Sequence, residues 1–164
     1  MSPAPCPICG GSHERIGALV MPAPDPWLAL AEPARAGGFC DADLCRTPDG
    51  RGFVFAVLET PLVGGPQPSV EFGLWAALGE DDFRRYYETY NDLDQSKLGP
   101  LAASLANGID GFAGSFGLKA TLLPQDQGGR PLLKLQPSDH PLAVAQREGM
   151  PMAKVLDIIH GVAA

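Results

Sequence analysis

Two apolar segments constrain this chain more than any other feature: "GFVFAVLE", residues 52–59, and "SVEFGLWAALG", residues 69–79. The first is dense in β-branched and aromatic residues, which suit a strand. The second sets Val70, Phe72, Leu74, Ala76 and Leu78 at alternate positions, the period of an extended chain with one buried face. The turn-rich "TPLVGGPQPS" between them predicts an antiparallel hairpin.

A helix is expected next. In "EDDFRRYYETY", residues 80–90, Phe83, Tyr86, Tyr87 and Tyr90 fall on one helical stripe, while Glu80, Asp81 and Asp82 complement the dipole of the first turn. "FGLKATLL" (116–123) and "PLLKLQ" (131–136) predict a second hairpin around "PQDQGGR". "SDHPLAVAQREG" reads as a short helix capped by Ser138 or Asp139 and stopped at Gly149. "PMAKVLDIIH" reads as another, with Met152, Val155, Leu156 and Ile159 on its buried face. Near the start, "DPWLALAE" (25–32) offers a short helix with Asp25 as N-cap. The Gly-rich stretch from Leu101 to Ser115 has no readable period. Paired strands with helices between and after them predict an α+β fold, an antiparallel sheet of two hairpins with helices mainly on one face. At 164 residues this makes one domain, with a Cys- and Pro-rich region over 1–50 and the α+β body over 51–164.

Charge narrows the partners. Twelve Lys and Arg against nineteen Asp and Glu leave a net charge of -7, and only Arg84 and Arg85 are adjacent. Nucleic acid and anionic lipid both require clustered basic residues, so neither is an expected partner. No apolar run approaches the ~20 residues that span a bilayer, and "MSPAPCPICG" has neither the basic nor the apolar region of a signal peptide. The expectation is a cytoplasmic protein, in which cysteines bind metal, react or fill space rather than form disulfides.

That bears on "CPICGGSH". A C-x2-C turn puts two sulfurs on one side, within reach of one tetrahedral ion, and a glycine after the second cysteine lets the turn point its N–H groups at the thiolates. A redox pair of the thioredoxin kind needs a preceding strand, and prolines stand there instead. Zinc is therefore the expected ligand, with Cys6 and Cys9 as half of the site. Two sets complete it: Cys40 and Cys45 from "CDADLC", or His13 with Cys45, while His140 and His160 are more distant in sequence.

"CPICGGSH", "DADLC" followed by "FVFAVLETPLV", "FGLWAALGEDDFRRYYE" and "LQPSDHPLAVAQREGM" together resemble, in order, the bacterial family catalogued as domain of unknown function 2199. The resemblance covers nearly the whole chain. It carries the pattern C-x2-C-G-x2-H, S-D-x-C, W-G-x-W-x-S-L-S and T-D-H-P-L-A-x-E-Q-x-x-G-I onto Cys6, Cys9, His13, Cys45, Trp75, Asp139, His140, Gln146 and Gly149. Phe72, Gly79 and Ala145 depart from it, standing where the family has Trp, Ser and Glu. Cys40 lies outside the pattern, so the resemblance implies Cys6, Cys9, His13 and Cys45 as the zinc ligands. It brings no activity with it.

The functional expectation is a structural zinc protein that binds a protein partner or small molecule in an accessory role. One alternative is a zinc hydrolase with His140 or Asp139 as base. Another is an acidic, immunity-type protein. Asp139 and His140 are also explained by helix capping, and Trp75 by core packing.

Overall fold

The computed structural model describes residues 5–162. In chain order these form β1 (Leu19–Val20), α1 (Asp25–Leu28), β2 (Phe39–Cys40), β3 (Leu44–Arg46), β4 (Gly52–Val63), β5 (Ser69–Leu78), α2 (Glu80–Glu88), β6 (Leu101–Leu105), β7 (Lys119–Leu123), β8 (Leu132–Leu135), α3 (Pro141–Glu148), β9 (Met150–Pro151) and α4 (Met152–Ile159). The α+β class holds, but the sheet is not an open pair of hairpins. β4 and β5 pair antiparallel from Gly52↔Leu78 to Pro61↔Ser69, and β7 pairs with β8. β6 bridges them, antiparallel to β5 at one edge and to β7 at the other. β8 then returns parallel to β4 at Val57↔Leu132, which closes a five-stranded barrel.

Alternation fills that barrel. Val54, Ala56 and Leu58 of β4, Val70, Phe72, Leu74, Ala76 and Leu78 of β5, Leu101 and Leu105 of β6, Ala120 and Leu122 of β7, and Leu133 and Leu135 of β8 share one core. α2 adds Phe83 and Tyr86 to it, whereas Tyr87 and Tyr90 are exposed. The expected four-residue aromatic stripe is thus half core. Phe83 sits against Gly52, where an added Cβ would meet its ring at 2.2 Å.

On the outer face, Phe53 and Phe55 of β4, Trp75 of β5, Cys45 of β3 and Ala106 form a second cluster. Trp75 is core, as its apolar neighbours suggest, and its Nε1 donates to the Met21 carbonyl at 3.0 Å. Buried Asn107 ties this cluster to the segment before α1. Its Oδ1 accepts from the Trp75 N–H at 2.9 Å, and its Nδ2 donates to Ala23 O at 2.9 Å and Asp25 Oδ1 at 3.1 Å. Asp25 is therefore not the cap of α1. Pro24 holds that position, and the Asp25 carboxylate instead joins the segment at residues 107 and 108.

The parallel closure is short, and one side chain completes it. Gln146 of α3 accepts from the Leu135 N–H at 2.8 Å through Oε1 and donates to the Leu133 carbonyl at 2.9 Å through Nε2. It satisfies the edge of β8 as a neighbouring strand would. No helix among the described residues is long and apolar enough to cross a membrane.

Candidate metal centre

The knuckle forms because Gly10 adopts a left-handed conformation, φ +74, open to glycine without a Cβ penalty. The turn closes with Gly10 N–H donating to Cys6 O and Cys6 N–H to Gly11 O, each at 2.8 Å. Gly11 N–H points at Cys9 Sγ at 3.4 Å. The backbone N–H groups of Cys9 and then Ile8 favour the Cys6 thiolate against the opposing effect of burial, holding that thiol down to about 6. A sulfur ionised near neutral pH is a ready metal ligand.

Anchoring beyond the knuckle is by one amide. Gln67, in the turn between β4 and β5, accepts from the Ile16 N–H at 2.8 Å and donates to the Ile16 carbonyl at 3.0 Å. β1 then runs parallel to β5 at Leu19↔Phe72. The knuckle is thereby held at the far end of the β4–β5 hairpin.

The other end of the chain arrives at the same place. β9 pairs with the end of β4, Leu62↔Met150 and Val63↔Pro151, and this fixes where α4 begins. α4 buries Val155 and Leu156 and ends at His160, its C-cap. Gly161 follows at φ +68, in the left-handed conformation that commonly stops helices.

Four donors converge there. Cys6 Sγ, Cys9 Sγ, a ring nitrogen of His13 and one of His160 all lie within 4.8 Å of one another, a Cys2His2 group able to hold a metal ion. Cys6 Sγ is 3.5 Å from His160 Nε2, Cys9 Sγ is 3.4 Å from His13 Nε2, and the two Nε2 atoms are 3.2 Å apart. Cys6 is buried, Cys9 exposed and both histidines half-buried. A cleft beside the donors is walled by Pro5, Pro7, Pro66, Met152 and Leu156.

Of the four residues implied by the resemblance, Cys6, Cys9 and His13 lie in this group and Cys45 does not; His160 is its fourth member. The reason is register. Cys45 pairs with Phe53 at the start of β4, whereas Gly64 and Pro66, past the end of that strand, line the cleft at Cys6 and His13. Ten residues of strand separate those levels, about 30 Å at the usual rise. Cys45 is fully buried and faces Cys40 across β2 and β3. Burial raises both of those thiols.

His140 lies outside the donor group as well. It is itself the N-cap of α3, a role expected of Ser138 or Asp139: its Nδ1 accepts from Leu142 N–H at 3.1 Å. Its Nε2 lies 2.9 Å from Ala113 O, so the ring carries its proton there. Ser138 Oγ accepts from the His140 N–H at 3.2 Å, and Asp139 is exposed.

His160 had one signal in the sequence: it is one of three histidines in the chain and ends an amphipathic helix. Nothing local ties it to residues more than 140 positions earlier; the pairing of β9 with β4, the packing of α4 through Val155 and the Lys154 Nζ bond to the Gly111 carbonyl bring it there.

No curated protein and no solved structure matches this chain. A family model described as "Uncharacterized protein conserved in bacteria (DUF2199)" does match, over residues 5–150, and the segments that anchor the knuckle, close the barrel and place Gln146 all fall within it. The chain belongs to that family.

Proposed function

We propose that the protein carries a structural zinc ion on Cys6, Cys9, His13 and His160, and that the ion clasps the N-terminal knuckle to the end of α4. The observation that carries this reading is the donor spacing. A tetrahedral zinc with Zn–S of about 2.3 Å and Zn–N of about 2.05 Å sets S···N edges near ~3.6 Å and an N···N edge near ~3.3 Å. The S···N separations here are 3.5 and 3.4 Å and the N···N separation is 3.2 Å. Two thiolates and two imidazoles are also a common zinc donor set.

A complete set of four protein donors leaves no position for water, which favours a structural ion over a hydrolytic one. His140 adds to this, with both ring nitrogens engaged in holding α3. The role that remains is binding or accessory, and the apolar cleft beside the clasp supports it. The family match ends at residue 150, so it includes Cys6, Cys9 and His13 but not His160.

Native mass spectrometry of the untagged chain, purified without added metal, tests the reading. One zinc per chain, removed by a chelator together with loss of structure in the knuckle and α4, is the expected result. A metal-free chain that gains none on exposure to zinc would overturn it.

A further inference from the structure

Cys40 and Cys45 are left outside the metal centre, and the hairpin that carries them is built to face them together. Asp41 makes the turn: its Oδ1 accepts from the N–H groups of Asp43 at 2.9 Å and Leu44 at 2.8 Å. Asp41 N–H donates to Leu44 O at 2.9 Å, so residues 41 and 44 form a hydrogen-bonded pair of the ladder. The next pair outward, Cys40↔Cys45, is then a non-hydrogen-bonded pair.

At such positions the Cα atoms approach to about 4.5 Å and side chains project toward each other. Disulfides span Cα separations of about 4.4–6.8 Å. Both thiols are free, and among the described residues no further His, Cys, Asp or Glu joins them in a metal-holding group. Cys45 is sealed within the outer cluster, while Cys40 is partly open to solvent.

We propose that Cys40 and Cys45 form a dithiol–disulfide modification site that exchanges with low-molecular-weight disulfides such as oxidised glutathione. The Cys40 sulfur, deprotonated, attacks one sulfur of the glutathione disulfide. That S–S bond breaks, and one glutathione leaves as a thiolate and takes up the Cys40 proton. The Cys45 sulfur, deprotonated in turn, attacks the Cys40 sulfur of the mixed disulfide. The second glutathione leaves with the Cys45 proton. Two protein thiols are oxidised and one disulfide is reduced to two glutathione thiols. Exchange proceeds through thiolates, so the raised thiols make the reaction slow at neutral pH and faster as pH rises.

Tryptic mapping separates this site from the metal centre. Cleavage at Arg35 and Arg46 places Cys40 and Cys45 on one peptide, 36–46, while cleavage at Arg15 leaves Cys6 and Cys9 on another. The native full chain is incubated with oxidised glutathione, then unfolded in denaturant at low pH to stop exchange, its free thiols are blocked with an alkylating reagent under denaturing conditions, and it is then digested. The expected result is near-complete loss of alkylation at both cysteines of peptide 36–46, with the mass lowered by two hydrogens and alkylation restored by prior reduction. In Cys45→Ser, a stable glutathione adduct on Cys40 accumulates. Should that variant not fold, Cys40→Ser serves instead, and its lone buried Cys45 stays unmodified in the native chain. Full alkylation of peptide 36–46 after long incubation would overturn the proposal. So would a persistent glutathione adduct on Cys40 in the parent, or a cross-link from this peptide to Cys6 or Cys9.

Discussion

Cys6 Sγ stands 3.5 Å from His160 Nε2, although 154 positions of sequence separate the two. The contact joins the knuckle to the end of α4, and a bound ion would make it a coordinate link. His160→Ala should therefore weaken zinc binding by on the order of 100-fold, roughly one donor's share of the ~10–16 kcal/mol typical of structural zinc. Competition with a chromogenic chelator measures this. Cys45→Ser should bind zinc as the parent does, and a comparable loss in that variant would restore Cys45 to the ligand set.

The metal-free protein should show a pH dependence that originates at Cys6. Its thiol falls from an ordinary 9.0 to about 6 on folding, so between those values the folded chain binds fewer protons than the unfolded one. Stability then rises with pH across that window, is fully present above 9.0, and is lost as pH falls through about 6. Thermal melts of chelated protein between these limits should show the rise. Cys6→Ser should flatten it, and an unchanged slope in that variant would assign the effect elsewhere.

His140→Ala should cost about 1 kcal/mol through loss of the α3 cap, within the ~0.5–2 kcal/mol range of such substitutions. His140→Asn should recover most of that, because Asn is a good N-cap. Urea denaturation gives both values. Zinc content should not change in either variant, which separates this histidine from His13 and His160.

Asn107→Ala should be among the more costly polar substitutions. It leaves the Trp75 N–H buried with no acceptor, a loss of about 1–3 kcal/mol for that group alone. Equilibrium unfolding followed by tryptophan fluorescence suits the test, since Trp75 lies beside the change. A difference within ~0.5 kcal/mol would mean that the outer cluster relaxes around the gap.

How much of this was legible follows from the range of the forces involved. β4 and β5 announce themselves because each buries a face with its own period, and α2 because Phe83 and Tyr86 recur at helical spacing. β6 was not legible. "LAASL" is short, rich in Ala and Ser, and acquires its inward face only through pairing with β5 and β7. Barrel closure was hidden with it. At the candidate metal centre, the turn through Gly10 is local, so Cys6 and Cys9 could be read from the knuckle itself, while His13 was preferred to Cys40 only through the family resemblance. The choice between Cys45 and His160 rests on which end of β4 each approaches, a matter of tertiary register that sequence proximity reverses. Cys45 lies 32 positions from His13 and is remote from it, whereas His160 lies 147 positions away and touches it.

The Gln146 contact has a consequence for how this protein fails. β4 and β5 guard each other over ten residue pairs, whereas β8 meets β4 at one parallel bridge, and part of its edge is shielded by a single amide that can swing away on one side-chain rotation. An exposed strand edge is a template on which another chain can add itself. Replacing Gln146 with Leu would keep the bulk of the side chain and remove its hydrogen bonds, so the damage would show in self-association as well as in the melting of dilute protein. The barrel's sociability, as well as its stability, hangs on that amide.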